Sequence, residues 1–197
     1  MSIPRKIVVC SQNQHKIREI SSIVSLVSDI VSVIDFLGAS LDVVEDGDTF
    51  EENALKKVLA CPSDVSVMYL GDDSGLEVAA LGNRPGVYSA RYAGEHSSSL
   101  VKCETLLGEM QGEVDRSAAF TTVIAVRLGE LTKVFKGVVE GVITHEMKGE
   151  SGFGYDPIFI PKGALQTFSE MTVAEKNASS HRYRALLKVN NWLSTLI

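Results

Sequence analysis

Short apolar runs alternate with amphipathic stretches along this chain. KIVVC (6–10) is a β-branched run ending in polar residues and reads as a buried first strand. In NQHKIREISSIVSLV (13–27), Ile17, Ile20, Val24 and Val27 fall at helical spacing, so a helix should follow. DIVSVIDF (29–36) predicts a second strand. DTFEENALKKVLA (48–60) opens on Thr49 with Glu52 three residues later, a capping-box pattern that starts a helix near Thr49, and Pro62 should stop it. VSVMYLG (65–71) predicts a short third strand that ends at Asp72 and Asp73. LGNRPGVYSARYAG (81–94), rich in Gly and Pro, reads as a loop. SSSLVKCETLLGEM (97–110) reads as a helix. SAAFTTVIAVRL (117–128) and LTKVFKGVVEGVI (131–143) are β-rich runs about a Gly-Glu turn, a hairpin of long strands. FGYDPIFIP (153–161) closes a loop and opens another short strand. HRYRALLKVNNWLSTLI (181–197) is helical, with Leu186, Val189, Leu193 and Leu196 on one face and Ser179 or Ser180 as its cap. Interleaved strands and helices with one long antiparallel pair predict an α/β fold on a mixed sheet.

Composition narrows the class. The 197 residues suit one large domain or two lobes, and they can bury a real core. Hydrophobic content of 45% against 22% charged is the balance of a soluble globular protein. A net charge of −6 argues against a broad nucleic-acid surface. The three cysteines match no zinc spacing, and an odd number argues against a disulfide framework; a reducing cytoplasm fits. The opening MSIPRKIVVCSQNQHK has too short an apolar run for a signal peptide, and no window approaches the roughly 18 apolar residues of a membrane span.

Four polar clusters sit at element ends, where ligand sites in open α/β sheets tend to lie. SQNQHK (11–16) offers Ser11 and Asn13 as caps and Lys16 in the first turn. It is either an ordinary capped turn or a phosphate seat at a helix N-terminus. In VVEDGDTFEENALKK (43–57), Glu51 and Glu52 suit a helix start, whereas Glu45 precedes the cap and needs another reason. Glu52 and Lys56 read as a surface pair, and Lys57 faces elsewhere. GDDSG (71–75) is either a solvated strand end or a carboxylate site for Mg2+, which takes one or two carboxylates beside waters and phosphate oxygens. If the strand runs through the pair, alternation gives Asp72 and Asp73 different roles. SGFGYDPIF with AEKNASSHRYR places Phe153 and Tyr155 among glycines, and His181 and Arg182 in the first turn of a helix. A cation there opposes the helix dipole unless an anion or carboxylate meets it.

Five motifs in order, SQNQHK, DTFEENALKK, DDSGLEV with LGNRPGVYSARYAG, GFGYDPIF and TFSEMTVAEKNASSHR, resemble the purine nucleoside triphosphate pyrophosphatases of the inosine triphosphatase, or Ham1-like, family. The similarity spans almost the whole chain. It implies a single two-lobed domain over residues 1–197, an α/β fold around a long mixed sheet with a central cleft, and a homodimer. It implies Mg2+-dependent hydrolysis of dITP, ITP and XTP to the monophosphate and pyrophosphate, which removes deaminated purines from the nucleotide pool. Nucleic acid and membrane are not implied as partners. By the same resemblance, the phosphate-binding turn falls on Ser11, Gln12, Asn13, Gln14, His15 and Lys16. The metal-associated glutamate falls on Glu45, the helix lysine on Lys57, the catalytic and metal-binding aspartate on Asp73, with Ser74 contacting substrate. Base recognition falls on Phe153, Gly154, Tyr155 and Asp156, and Lys176, His181 and Arg182 complete the base and phosphate contacts. Asp72 would be a supporting group. Ser11 stands where many members carry Thr, which keeps the hydroxyl. The related Maf-type pyrophosphatases lack the SSHR and FGYDP pattern. A binding module without catalysis would be expected to lack Asp73 or Glu45, and both are present.

Overall fold

A computed structural model describes residues 4, 6–24, 29–39 and 41–196. The strands are β1 (Lys6–Val9), β2 (Ile30–Ser32), β3 (Val67–Val78), β4 (Arg84–Pro85), β5 (Ser117–Leu128), β6 (Leu131–Ile143) and β7 (Phe159–Pro161). The helices are α1 (Gln14–Ile23), α2 (Val33–Leu37), α3 (Phe50–Leu59), α4 (Ser99–Glu109), α5 (Val173–Ser179) and α6 (His181–Ser194). Seven strands form one sheet in the order β2-β1-β3-β5-β6-β7, with β4 paired to β3. β1 is parallel to β2 and to β3, whereas β4 on β3 and β7 on β6 are antiparallel. The sheet is mixed, as expected.

The residues group into two compact units. The first comprises Met1–Asp73, Thr122–Gly137 and Arg182–Ile197; the second comprises Ser74–Thr121 and Val138–His181. In the first, Ile7 and Val9 of β1, Met68 and Leu70 of β3, and Ile124 and Val126 of β5 pack with Ile20 of α1. Leu186, Val189 and Leu193 of α6 join that core, and Leu196 packs against it half-buried. In the second, Leu76 and Val78 meet Cys103 and Leu106 of α4, and Phe120, Tyr155, Phe159 and Phe168 fill the middle.

Several local readings change in the folded chain. The expected second strand stops after three residues, because the Ser32 hydroxyl accepts from the Asp35 N–H and caps α2, which Gly38 ends in a left-handed conformation. α1 ends at Ile23, with Val24 extended; Val27 lies outside the described residues. β3 does not stop at the aspartates but continues to Val78. The 81–94 segment carries the two-residue strand β4 between 3-10 turns. A helix absent from the sequence reading, α5, starts on a second capping box built from Thr172 and Glu175. By contrast, Thr49 and Glu52 cap α3 as their spacing predicts, and β5 and β6 flank the Gly129–Glu130 turn.

Gly71 explains how α3 can lie against β3. A Cβ there would come within 2.5 Å of the Ala54 carbonyl and 3.1 Å of Lys57 Cβ. Glycine alone permits that approach, which brings Lys57 beside the aspartates.

Candidate active site

The first unit gathers four carboxylates and three cations around β3. Asp72 is fully buried. Its Oδ1 lies 2.5 Å from Lys16 Nζ and its Oδ2 2.9 Å from Arg182 Nε, and the Thr122 hydroxyl donates to Oδ2 at 3.0 Å. Arg182 also pairs with Glu19. Burial pushes the Asp72 carboxyl up, but Arg182 and Lys16 outweigh it and hold the group well below the usual carboxylate range. The pairing also answers the unfavourable position of Arg182 near a helix N-terminus, because two carboxylates meet it there.

Asp73, the next residue, stands in a different field. It is 6% exposed. Its Oδ2 accepts from Asn53 Nδ2 at 3.2 Å, and its Oδ1 lies 3.7 Å from Lys57 Nζ. That ammonium also reaches Glu45 Oε2 and the Asp72 carbonyl, each at 2.8 Å. Burial is the largest influence on Asp73 and raises its pKa; Lys57 and Lys16 oppose the rise, and Glu45 and Asp72 add to it. Alternation along a continuous strand thus gives two adjacent acids different partners and opposite pKa shifts.

At α1, Asn13 acts as the N-cap: its Oδ1 accepts from His15 N at 2.9 Å and Lys16 N at 3.3 Å, while Ser11 Oγ accepts from Asn13 N at 3.1 Å. Gln12, Gln14 and His15 are exposed and Lys16 is half-buried. Lys56 does not pair with Glu52. It reaches Asp46, because the Glu52 carboxylate is taken by the Asp48 and Thr49 N–H groups at the cap. Ser74, half-buried, is the first residue of the second unit.

The second unit holds a separate cluster around a buried lysine. Lys176 Nζ lies 2.6 Å from Asp156 Oδ2 and 4.6 Å from the centre of the Phe153 ring. The same carboxylate oxygen accepts from Phe153 N at 2.8 Å. Gly154 N donates to Ser99 Oγ at 2.8 Å, and the Tyr155 hydroxyl donates to the Ser89 carbonyl at 3.1 Å. His181 is buried and stacks on Phe120, ring centres 4.7 Å apart.

Comparison with known proteins places the chain. A model of the Ham1 family matches residues 7–192. The chain belongs to the Ham1 family. A protein named dITP/XTP pyrophosphatase from Bacillus subtilis (strain 168) is 42% identical over 196 residues, covering 98% of this chain and 99% of its own. The dITP/XTP pyrophosphatase of Bacillus licheniformis is 41% identical over 190 residues, covering 94% and 96%. Among solved structures, the Staphylococcus aureus Ham1 protein superposes with a TM-score of 0.87 at 38% identity, covering 98% of this chain and 100% of its own. A Mycobacterium abscessus nucleoside-triphosphatase / dITP/XTP pyrophosphatase gives 0.74 at 38% identity, covering 93% and 98%. No helix among the described residues of this Ham1-family chain is long and apolar enough to cross a membrane.

Of the residues singled out in the sequence, Lys16, Glu45, Lys57, Asp73 and Arg182 come together in the first unit, and Phe153, Asp156 and Lys176 in the second. Glu19, Asn53 and Thr122 were not singled out. Asn53 did carry a signal: it is four residues before Lys57 and so shares its helix face. Thr122 lies amid an apolar strand and carries none.

Proposed function

We propose that this protein is a Mg2+-dependent nucleoside triphosphate pyrophosphohydrolase that converts dITP, ITP and XTP to the monophosphate and pyrophosphate. One observation carries the reading: Asp73, with a raised pKa, shares the Lys57 ammonium with Glu45.

The residues present fit a divalent cation. Glu45 and Asp73 offer only oxygen donors, as a hard ion requires. Both carboxylates share the Lys57 ammonium, so they lie within one side chain's reach of each other. We assign Glu45 and Asp73 as the residues that would hold Mg2+. When bound, the ion supplies charge neutralisation to the triphosphate oxygens. Lys16 and Lys57 add positive charge to the same oxygens, and such positioning and neutralisation are most of what phosphoryl transfer asks of a protein.

Asp73 takes a proton from the water that attacks the α-phosphorus. The new bond is water oxygen to phosphorus, and the bond that breaks releases pyrophosphate. A carboxylate with a raised pKa is the better base at neutral pH. Phe153 stacks on the purine, with Lys176 and Asp156 fixing its loop. We assign the donor to the 6-carbonyl to His181, which lies in the same unit as Phe153, whereas Arg182 donates to Asp72 and Glu19. An amine at that position leaves the donor mismatched, and a mismatch at a buried group gives large discrimination. The homodimer rests on the family resemblance, and the cytoplasmic setting on the cysteine pattern.

The test is pyrophosphate release from ITP, dITP, XTP, dATP and dGTP with Mg2+, for wild type and Asp73→Asn. The wild type should favour the first three over dATP through the 6-position donor and over dGTP, which shares the 6-carbonyl, through exclusion of its 2-amino group. The variant should lose about 10²- to 10⁴-fold in kcat, the scale of a general base. Equal rates on all five nucleotides, or an unaffected variant, would overturn the reading.

A further inference from the structure

The two carboxylates assigned to the metal come from different elements: Asp73 from β3, and Glu45 from the irregular segment that leads into α3. Something must set their spacing before a cation arrives. Lys57 touches both, but its ammonium occupies the space a cation would claim. Asn53 is a second link and lies on the other side of Asp73. Its side chain is 1% exposed. Oδ1 accepts from Gly47 N at 2.8 Å, and Nδ2 donates to the Gly47 carbonyl at 3.4 Å and to Asp73 Oδ2 at 3.2 Å. Gly47 is two residues beyond Glu45.

We propose that Asn53 is a positioning residue for metal loading: its carboxamide ties the Glu45 turn to Asp73 and fixes how the two carboxylates receive a divalent cation. The inference rests on the function proposed above. The geometry divides the labour within one carboxylate. Asn53 pins Oδ2, so the direction of Oδ1, the oxygen on the Lys57 and Glu45 side, is set before any ion binds. The same carboxamide holds the backbone of Gly47 by both its N–H and its carbonyl, which is as firm a grip as one amide can give a turn. Displacing the Lys57 ammonium would leave this tether in place. Groups that orient metal ligands contribute to metal affinity or to activity; a tether that sets only how the two carboxylates are spaced should act chiefly on affinity.

Gly47 gives an independent way to loosen the same link. A Cβ at that position would lie 2.8 Å from Asn53 Oδ1 and 2.8 Å from Glu52 Cβ, so alanine there must push the turn away from the carboxamide and the first turn of α3 while leaving Asn53 and Asp73 themselves unchanged.

The experiment titrates Mg2+ into wild type, Asn53→Ala, Gly47→Ala and the double variant. Two readouts are taken: pyrophosphate release from ITP, and the shift in melting temperature with Mg2+ plus pyrophosphate. Each single variant should raise the Mg2+ midpoint by about tenfold or more in both readouts, as loss of an orienting partner does elsewhere. The kcat at saturating Mg2+ should fall by less than the midpoint rises. The double variant should be no worse than the larger single change, because both break one link. A folded Gly47→Ala protein with an unchanged midpoint would overturn the inference. So would a fall in kcat at constant midpoint, or additive effects in the double variant. If Asn53→Ala does not fold, Gly47→Ala decides alone. A wild type indifferent to Mg2+ would overturn the functional reading, and this inference with it.

Discussion

Two buried lysines anchor the two candidate clusters, and their surroundings differ. Lys57, 7% exposed, serves two carboxylates, Glu45 and Asp73, and a backbone carbonyl. Lys176, 6% exposed, pairs with the Asp156 carboxylate and is closed in by the Phe153 and Phe168 rings. The first arrangement sets two carboxylates, Glu45 and Asp73, on one ammonium. The second sets an ammonium on a carboxylate among aromatic rings. On the function proposed above, the first would be the reacting region and the second the recognising one.

The sharpest way to break the comparison is at Asp72. If the first cluster is organised around that buried anion, Asp72→Asn removes the partner of Lys16 and leaves fully buried Arg182 with less opposing charge. Breaking a buried ion pair from one side costs roughly 3–5 kcal/mol, which chemical denaturation will read as a large fall in the unfolding midpoint. The effect falls on the fold first and on catalysis second. A midpoint close to wild type would show that the network is dispensable.

A smaller effect is expected in the Lys176 cluster. Lys176→Met keeps most of the stem volume and removes the charge, leaving Asp156 buried with its bond from the Phe153 N–H. The cost should lie near the low end of the same range, roughly 3 kcal/mol, by the same denaturation measurement. Because the Phe153 loop loses its cation as well, KM for ITP should rise while kcat changes little. If kcat falls and KM does not, Lys176 belongs to the reacting region and the division fails.

Much of this was legible in the chain and some was not, for reasons that differ by residue. Helix α3 was readable because Thr49 and Glu52 cap it with purely local bonds. Strands β5 and β6 were readable because long β-rich runs flank a two-residue turn. The 29–36 run was right as strand only over Ile30–Ser32, because short apolar runs fit either period and the side chain of Ser32 decides for helix beyond it. The end of β3 was misplaced because two adjacent aspartates look like a strand end. They are buried only through distant partners: Arg182 lies 110 residues away along the chain and Thr122 lies 50. No local pattern reports such neighbours. The site residues named by the family motifs could be placed in order, but the sequence does not disclose that Arg182 bonds carboxylates or that Asn53 bonds Asp73.

The smallest expected effect compares the two aspartates themselves and turns on sign. Asp72 has a folded pKa below its ordinary value, so the stability it contributes is complete above the unfolded pKa and is lost as pH falls through the folded one. Asp73 is shifted the other way, chiefly by burial. Its contribution is complete below the unfolded pKa and is lost as pH rises through the folded one, so at pH 7 its charge works against the fold. In the absence of divalent ions, Asp73→Asn should therefore melt at or above the wild-type temperature at pH 7. The gain should vanish once the pH drops below the ordinary carboxyl value of 3.8, where both proteins carry a neutral group at that position. Adding Mg2+ with pyrophosphate should reverse the order, because only the wild type keeps both metal carboxylates. A variant that melts well below wild type at pH 7 without metal would show that Asp73, like Asp72, is a structural anion, and the distinction between the two neighbours would collapse.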